Sequence, residues 1–148
     1  MPLPQTEIPG RLQAQLASRG IRMTQQRRAI LSVIETAKKH LDAAEILRQA
    51  QRLDASVDRS TVYRTLGLLK RQGMIDELDL MHMNGEAHYY ERKQGPDHIH
   101  MACLRCGKIS EFVSEIFDSL KHQMERDCRF QIIVSRMEIG GYCSSCRR

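Results

Sequence analysis

The chain has 148 residues and a formal net charge of +5, a length that allows one ordinary domain or two small ones. A hydrophobic fraction of 41% is enough for packed cores, and there is no uninterrupted apolar run of the length that spans a membrane. Residues 1–7 lack a basic segment followed by an apolar stretch, so no signal peptide and no membrane partner are predicted, and a cytoplasmic location is expected.

The charge is distributed unevenly along the chain. Residues 1–73 carry 13 Lys and Arg against 6 Asp and Glu, whereas residues 74–148 carry 10 against 12. A basic first half suits contact with a polyanion, and an acidic second half suits the binding of cations. A solvated surface with chance asymmetry would give the same counts, so charge alone leaves both interpretations open.

The first half is predicted to contain four amphipathic helices. The first covers about 8–18, and the next three are capped by Thr24, Asp42 and Asp58. The fourth runs from Arg59 to about Gln72 and ends at Gly73. Its apolar stripe, at helical spacing, is Val62, Leu66 and Leu69. Its opposite, basic side carries Arg64, Gly67 and Arg71, a face that suits a DNA groove.

The pattern changes from helical to strand-like after Gly73. Strands are predicted over 74–80 and 87–91, around a turn at Asn84-Gly85. Helices followed by such a hairpin indicate a winged helix-turn-helix over 1–91, with the polar segment 92–97 as a hinge.

Residues 98–148 are predicted to form a small α/β domain, which makes the chain α+β overall. Strands are expected over 98–103 and 108–112, a helix from Ser114 to about Glu125, and a further strand over 130–139.

Four cysteines form two knuckles of the pattern Cys-x-x-Cys. They are Cys103 with Cys106 and Cys143 with Cys146. Two intervening residues let both sulfurs of a knuckle reach one ion, so the quartet predicts one tetrahedral, structural Zn²⁺ per subunit. A dithiol redox pair is the alternative, but it would be expected beside a βαβ unit, which the sequence lacks. Cys128 is interpreted as a bystander.

A second group of candidate ligands is His98 and His100, which project from one face of a predicted strand. Glu91 and Glu111 lie on neighbouring strand-like segments, and His40 lies before the third helix. Nitrogen and oxygen ligands suit Fe²⁺, Mn²⁺ or Zn²⁺. By spacing alone only the histidine pair stands out, and two surface histidines are the competing interpretation.

From about Leu12 to Cys146 the chain resembles the ferric uptake regulator (Fur) family of metal-dependent repressors. The resemblance rests on motifs in the family's order: Gly20-Ile21-Arg22-Met23-Thr24-Gln25-Gln26-Arg27, His40-Leu41-Asp42-Ala43-Ala44-Glu45, Ser60-Thr61-Val62-Tyr63-Arg64-Thr65-Leu66, the segment from His98 to Ile109, and Gly141-Tyr142-Cys143-Ser144-Ser145-Cys146.

The resemblance implies a role for each candidate residue. The ligands of the regulatory metal would be His40, Glu91, His98, His100 and Glu111. The residues that contact DNA would be Arg22, Thr61, Tyr63 and Arg64. The quartet of cysteines would hold structural zinc, and the second half would form the homodimer. A regulatory ion would hold the two halves in the orientation that fits a palindromic operator.

The resemblance also bears on the identity of the metal. Relatives often carry a histidine-rich run before the His-x-His pair, but this chain has Asp97 there and Ile99 between the histidines, so a third metal site is not expected. No cysteine precedes Cys103, unlike the zinc-sensing branch, and Glu91 stands where peroxide sensors typically have Asp. Fe²⁺ is therefore the expected effector, with zinc-sensing, manganese-sensing and peroxide-sensing members as alternatives.

A small metallohydrolase is a further alternative, but five candidate ligands leave little room for a reactive water. The sequence also shows no nucleophile–base pair, so no enzyme activity and no small-molecule substrate are expected.

Overall fold

A computed structural model describes residues 10–80, 88–93 and 95–147 of the chain. The described residues form two compact units. The first holds residues 10–78 and 88–93, and the second holds residues 79–80 and 95–147. Among the described helices, none combines the length and the apolar character needed to cross a membrane.

The first unit is built on helices that pack around one hydrophobic core. They are α1 (Arg11–Ser18), α2 (Gln25–Thr36), α3 (Ala43–Leu53) and α4 (Arg59–Arg71). The largest side chains with no more than 1% exposure include Leu16, Ile30, Leu31, Ile46, Leu66 and Leu69. Each such side chain stabilises the fold by about 1.5–3 kcal/mol relative to exposure.

Three helices begin where the sequence predicted. The side chains of Thr24, Asp42 and Asp58 accept hydrogen bonds from backbone amides in the first turns of α2, α3 and α4. These contacts satisfy donors that a helix start otherwise leaves without partners. Gly73 follows α4 with φ +66, a left-handed conformation that glycine adopts at little cost. The predicted caps and stop are confirmed.

A small antiparallel sheet completes the winged helix-turn-helix. Its strands are β1 (Leu41–Asp42), β2 (Ile75–Leu78) and β3 (Tyr89–Arg92), in the order β1-β3-β2. Strands β2 and β3 were predicted, whereas β1 was not, because two residues are too few to show an alternating pattern. The predicted turn at Asn84-Gly85 lies outside the described residues.

The second unit is a three-stranded sheet with one helix. Its elements are β4 (Ile99–Cys103), β5 (Ile109–Phe112), α5 (Glu115–Cys128) and β6 (Met137–Gly141). Strand β4 is central, antiparallel to β5 and parallel to β6. The predicted α+β class is confirmed, and α5 extends three residues beyond its expected end.

The predicted strand over 130–139 is wrong for its first seven residues, because β6 begins only at Met137. Arg129 ends α5 in a left-handed conformation with φ +50. The amide of Ile132 then donates to the Glu125 carboxylate at 3.0 Å. This backbone group is therefore bound by a local side chain instead of a neighbouring strand.

Candidate metal centres and nucleic-acid interface

The register between β4 and β6 brings the two cysteine knuckles together. Cys103 ends β4 and pairs with Gly141, the last residue of β6. The amide of Leu104 donates to the Gly141 carbonyl at 2.8 Å, one step beyond that register. Two knuckles separated by 36 residues of sequence therefore lie side by side.

The quartet of sulfurs has the spacing of a tetrahedral metal site. All the Sγ atoms of Cys103, Cys106, Cys143 and Cys146 lie within 4.8 Å of one another. The Sγ atoms of Cys106 and Cys143 are 3.8 Å apart. Zinc–sulfur bonds of about 2.3 Å place tetrahedral sulfurs about 3.8 Å apart. All the cysteines are free thiols, so these residues fit a zinc ion without rearranging a disulfide.

Backbone amides favour the thiolate form of one of these cysteines, Cys103. The amides of Cys143, Cys106 and Arg105 hold the pKa of the Cys103 thiol down at about 6. Hydrogen bonding to Cys143, together with burial, raises the pKa of the Cys146 thiol to about 12. Metal binding requires all four thiols to lose their protons, and the backbone amides around Cys103 favour that loss at this residue.

The first unit holds one pair of the predicted regulatory ligands. His40 directly precedes β1, and Glu91 lies on β3, the strand with which β1 pairs. The His40 Nε2 and Glu91 Oε2 atoms are 2.7 Å apart, and both side chains are largely buried. The short strand β1, which the sequence did not predict, is the element that places His40 beside Glu91.

The second unit holds the other predicted ligands. His100 on β4 lies directly opposite Glu111 on β5. His98 lies two residues before His100, and the centroids of the two imidazole rings are 4.6 Å apart. His100 is buried, whereas Glu111 is exposed. The His98 and His100 imidazoles and the Glu111 carboxylate therefore all lie at the start of β4 or opposite it on β5.

Helix α4 has the two-sided character expected of a helix that enters a DNA groove. Its aliphatic stripe is buried, whereas Tyr63 and Arg64 are exposed. Arg59, one turn earlier, lies over the Tyr63 ring at 5.6 Å. This contact was not predicted, although the spacing of four residues signals it.

The other two predicted DNA-contact residues differ in exposure. Thr61 is only 9% exposed, and its hydroxyl accepts a hydrogen bond from the Arg64 guanidinium at 3.2 Å. Arg22 is exposed between α1 and α2, and its carbonyl accepts a hydrogen bond from the Arg27 guanidinium. Thr61 therefore supports an exposed arginine in this structure, and the side chain of Arg27 fixes the backbone at Arg22.

Fold and site together define a two-unit protein with a winged helix and candidate metal ligands in both units. Residues 18–140 match the model of the ferric uptake regulator family. The chain belongs to this family of metal-responsive transcriptional regulators, and the predicted family resemblance is confirmed.

Individual relatives match over nearly their whole length. A ferric uptake regulation protein of Rhizobium leguminosarum bv. viciae is 32% identical over 136 residues, covering 92% of this chain and 94% of the relative. The iron-containing structure of the regulator from Francisella tularensis superimposes with a TM-score of 0.71 at 32% identity, covering 87% of this chain and 96% of the other. The Helicobacter pylori regulator, described as having three functional metal-binding sites, gives a TM-score of 0.73 at 26% identity and covers 92% and 89%.

Proposed function

We propose that this chain is a ferrous-iron-responsive repressor that acts in the cytoplasm as a homodimer on a palindromic DNA operator. The observation that carries the proposal is the distribution of preassembled ligands. His40 and Glu91 are adjacent in the unit that contains the winged helix. In the other unit, His100 lies opposite Glu111 on the sheet, and the ring of His98, just before β4, contacts the ring of His100. Each unit thus offers an incomplete nitrogen and oxygen ligand set.

One ion that draws ligands from both sets would favour a single relative orientation of the units. A ligand shifts a conformational equilibrium only through its differential affinity for the states. An ion that binds both sets in one orientation and only one set in the others has that property. We propose that the favoured orientation is the one in which the two α4 helices of a dimer fit successive major grooves.

The quartet of cysteines would bind Zn²⁺ in a structural role. Four thiolates fill the coordination shell and leave no position for water or substrate. The ion would stabilise the second unit by linking the end of β4 to the chain after β6. Its presence gives no support to a hydrolase, and the family consists of transcriptional regulators rather than enzymes.

A second copy of the chain is the proposed occupant of an exposed apolar surface on the second unit. We call this the apolar surface; its large hydrophobic members are Phe112, Val113, Ile116, Leu120, Met124, Phe130, Ile133, Val134 and Ile139. Ile116 is 82% exposed and Ile133 is 78% exposed. Large apolar residues exposed in this number on one small unit indicate a protein interface, and an isologous dimer buries the same surface of both copies.

The ligand types are compatible with several first-row metals, and the absence of cysteine favours iron over zinc. Imidazole and carboxylate ligands bind Fe²⁺, Mn²⁺ and Zn²⁺ alike. The proposed regulatory set contains no cysteine, which favours an iron sensor over a zinc sensor. A peroxide sensor within the same family would gain one oxygen atom on His40 or His98 after treatment with iron and peroxide, which intact-protein mass spectrometry detects.

The proposal is tested by DNA binding of the zinc-loaded protein under anaerobic conditions at fixed salt, with Fe²⁺, Mn²⁺ and Zn²⁺ titrated separately. A pool of random palindromes serves as the probe, because the operator sequence is not specified. The variant His98→Ala removes a proposed ligand, and His122→Ala on α5 is the matched control because this exposed histidine lies outside the ligand set.

Binding that begins at low Fe²⁺, persists in the control and is lost in His98→Ala is the expected result. A response to Zn²⁺ alone would move the sensor identity to zinc. Operator binding that ignores all three metals would overturn the regulatory site.

A further inference from the structure

Arg105 connects the two cysteine knuckles through its side chain. It lies inside the first knuckle, between Cys103 and Cys106. Its Nη1 donates to the carbonyl of Cys146 at 2.8 Å, and its guanidinium carbon lies 5.2 Å from the centroid of the Tyr142 ring. Both contacted residues belong to the second knuckle or directly precede it.

The hydrogen bond to Cys146 acts at the end of the second knuckle that lies farther along the chain from β6, whereas Tyr142 directly follows that strand. The near end is fixed by the Cys103–Gly141 register and by the Cys143 amide, which donates to Cys103 Sγ at 3.4 Å. The far end turns back on itself, with the Cys146 amide bonded to the Cys143 carbonyl at 2.9 Å. Arg105 ties this far end to the first knuckle.

Charge adds to the geometric argument. A Zn²⁺ ion with four thiolates carries a net charge of −2, and the guanidinium brings a permanent positive charge to the backbone of one ligand residue. A planar guanidinium can stack on an aromatic ring and donate in its own plane at the same time, which a lysine ammonium cannot do.

We propose that Arg105 is a positioning residue for the cysteine site, which closes the second knuckle over the ion and slows the loss of zinc. This inference rests on the proposed structural zinc. The residues that orient metal ligands commonly change metal affinity by about 10–100-fold when they are removed. Because opening of the second knuckle precedes release, the dissociation rate of zinc carries this effect.

The test uses the full-length protein loaded with zinc and mixed with an excess of a chromogenic chelator. Arg105→Ala is expected to release zinc about 10–100-fold faster than the wild type. Arg105→Lys keeps the charge but loses the stacked, planar donor, so its rate is expected to lie closer to that of the alanine variant. Lys108→Met, which removes an exposed positive charge just after the first knuckle, is expected to release zinc at the wild-type rate.

A spectroscopic measurement separates positioning from a general loss of stability. The site is loaded with Co²⁺, and the ligand-field absorption of the tetrahedral ion is compared among the variants. Altered bands in Arg105→Ala, with wild-type bands in Lys108→Met, are expected. Tyr142→Leu keeps the hydrogen bond to Cys146 and is expected to release zinc at an intermediate rate, which provides a second variant if Arg105→Ala fails to fold.

The zinc content of each protein identifies which inference fails. One zinc per subunit in every variant, with equal release rates and equal cobalt spectra, would overturn the role of Arg105 and leave the zinc site standing. A wild-type protein without bound zinc would overturn the zinc site and, with it, the role of Arg105.

Discussion

The Arg64 guanidinium is held by Thr61, a short side chain on the same helix. Thr61 is buried against the first unit's core, and its hydroxyl accepts from Arg64 across one turn of α4. The hydrogen bond restricts the rotamers of a long side chain before DNA arrives. If Arg64 contacts DNA as proposed, less conformational entropy would then be lost on binding.

Replacing Thr61 with Val tests this arrangement, because valine keeps the branched shape and removes the hydroxyl, which accepts from Arg64 and also bonds the Asp58 carboxyl. We expect the operator dissociation constant to rise by the equivalent of about 0.5–1.5 kcal/mol, the usual contribution of one hydrogen bond. Fluorescence anisotropy at constant salt measures the change. Thr61→Ser retains the hydroxyl and should bind like the wild type, and equal affinity of the Val and Ser variants would show that the contact is irrelevant to DNA.

Asp58 gives the start of α4 a dependence on pH. The amide of Thr61 and the hydroxyl of Ser60 hold the pKa of the Asp58 carboxyl below its ordinary value of 3.8. A group whose pKa is lower in the folded state stabilises the fold above its unfolded pKa and loses that contribution as the pH falls through the folded value. The cap therefore contributes fully at neutral pH and weakens on strong acidification.

The variant Asp58→Ala is expected to have a lower Tm than the wild type at pH 7, with a difference that shrinks below about pH 4. Asp58→Asn preserves the capping oxygen without the charge and should show a smaller loss at pH 7, which also shrinks on acidification because only the wild-type carboxyl titrates. Calorimetry across this range measures all three proteins. A Tm difference between wild type and alanine variant that is constant down to the lowest pH would contradict the assignment.

Individual residues explain why some elements were predictable and others were not. Thr24, Asp42 and Asp58 are short-range signals, since each cap binds an amide three residues away. The cysteine knuckles carry a similar local signal. The pairing of β1 with β3 depends on residues about 50 positions apart, so no sequence window could show that His40 lies beside Glu91.

The wrong strand assignment has a different origin. Apolar and β-branched residues in 130–136 gave the strand prediction, but Ile133 and Val134 are exposed. An apolar composition indicates that a segment is buried. It does not show whether the segment is buried inside one subunit or at an interface between two copies. The apolar surface proposed as the dimer contact accounts for these residues better than an internal strand does.

Lys121 of helix α5 pairs with two carboxylates of the second unit. Lys121 Nζ lies 2.5 Å from the Asp97 carboxylate, just before β4, and 2.8 Å from Asp118 one turn earlier. The hydroxyl of Ser135 also donates to Asp97 at 2.9 Å. The pKa of Lys121 is raised by its bonds to Asp118 and Asp97, so the ammonium is charged throughout the physiological range.

Replacing Lys121 with Met removes this charge and keeps an unbranched apolar stem. We expect a loss of about 1 kcal/mol in the free energy of unfolding at low salt, the upper part of the range for partly exposed ion pairs. The loss should diminish in 1 M salt, where the screening length falls to about 3 Å. Urea denaturation at two salt concentrations measures it, with Lys121→Arg as the charge-preserving control. Lys121 Nζ also lies 5.1 Å from the centroid of the Phe117 ring, and an effect as large in high salt as in low salt would assign the contribution to this contact instead.

The two units divide the proposed work between them. Each has its own sheet, and each brings together a subset of the ligands from residues distant in sequence. A protein with all five ligands in one unit could bind the same ion without any effect on its partner unit. Splitting the ligands is what would let a small ion act on DNA affinity, because the binding free energy then depends on how the units are oriented.

This argument makes a reciprocal prediction. If the regulatory ion raises operator affinity by a given factor, the operator must raise the affinity for that ion by the same factor, which for coupled sites is typically about 5–150-fold. Competition with a metal-binding fluorescent dye, with and without saturating operator, measures how much the operator changes the affinity for the ion. This factor is then compared with the factor by which the ion changes operator affinity. His40→Ala gives the sharper test, since it removes a ligand of the first unit and leaves His98, His100 and Glu111 in place. That variant should still bind metal, more weakly, and its metal affinity should respond less to the operator, because Glu91 is then the one proposed ligand left in the first unit. Coupling that persists undiminished in His40→Ala would mean that the ion acts from within the second unit alone, and that its effect on the winged helix is transmitted without a shared ligand.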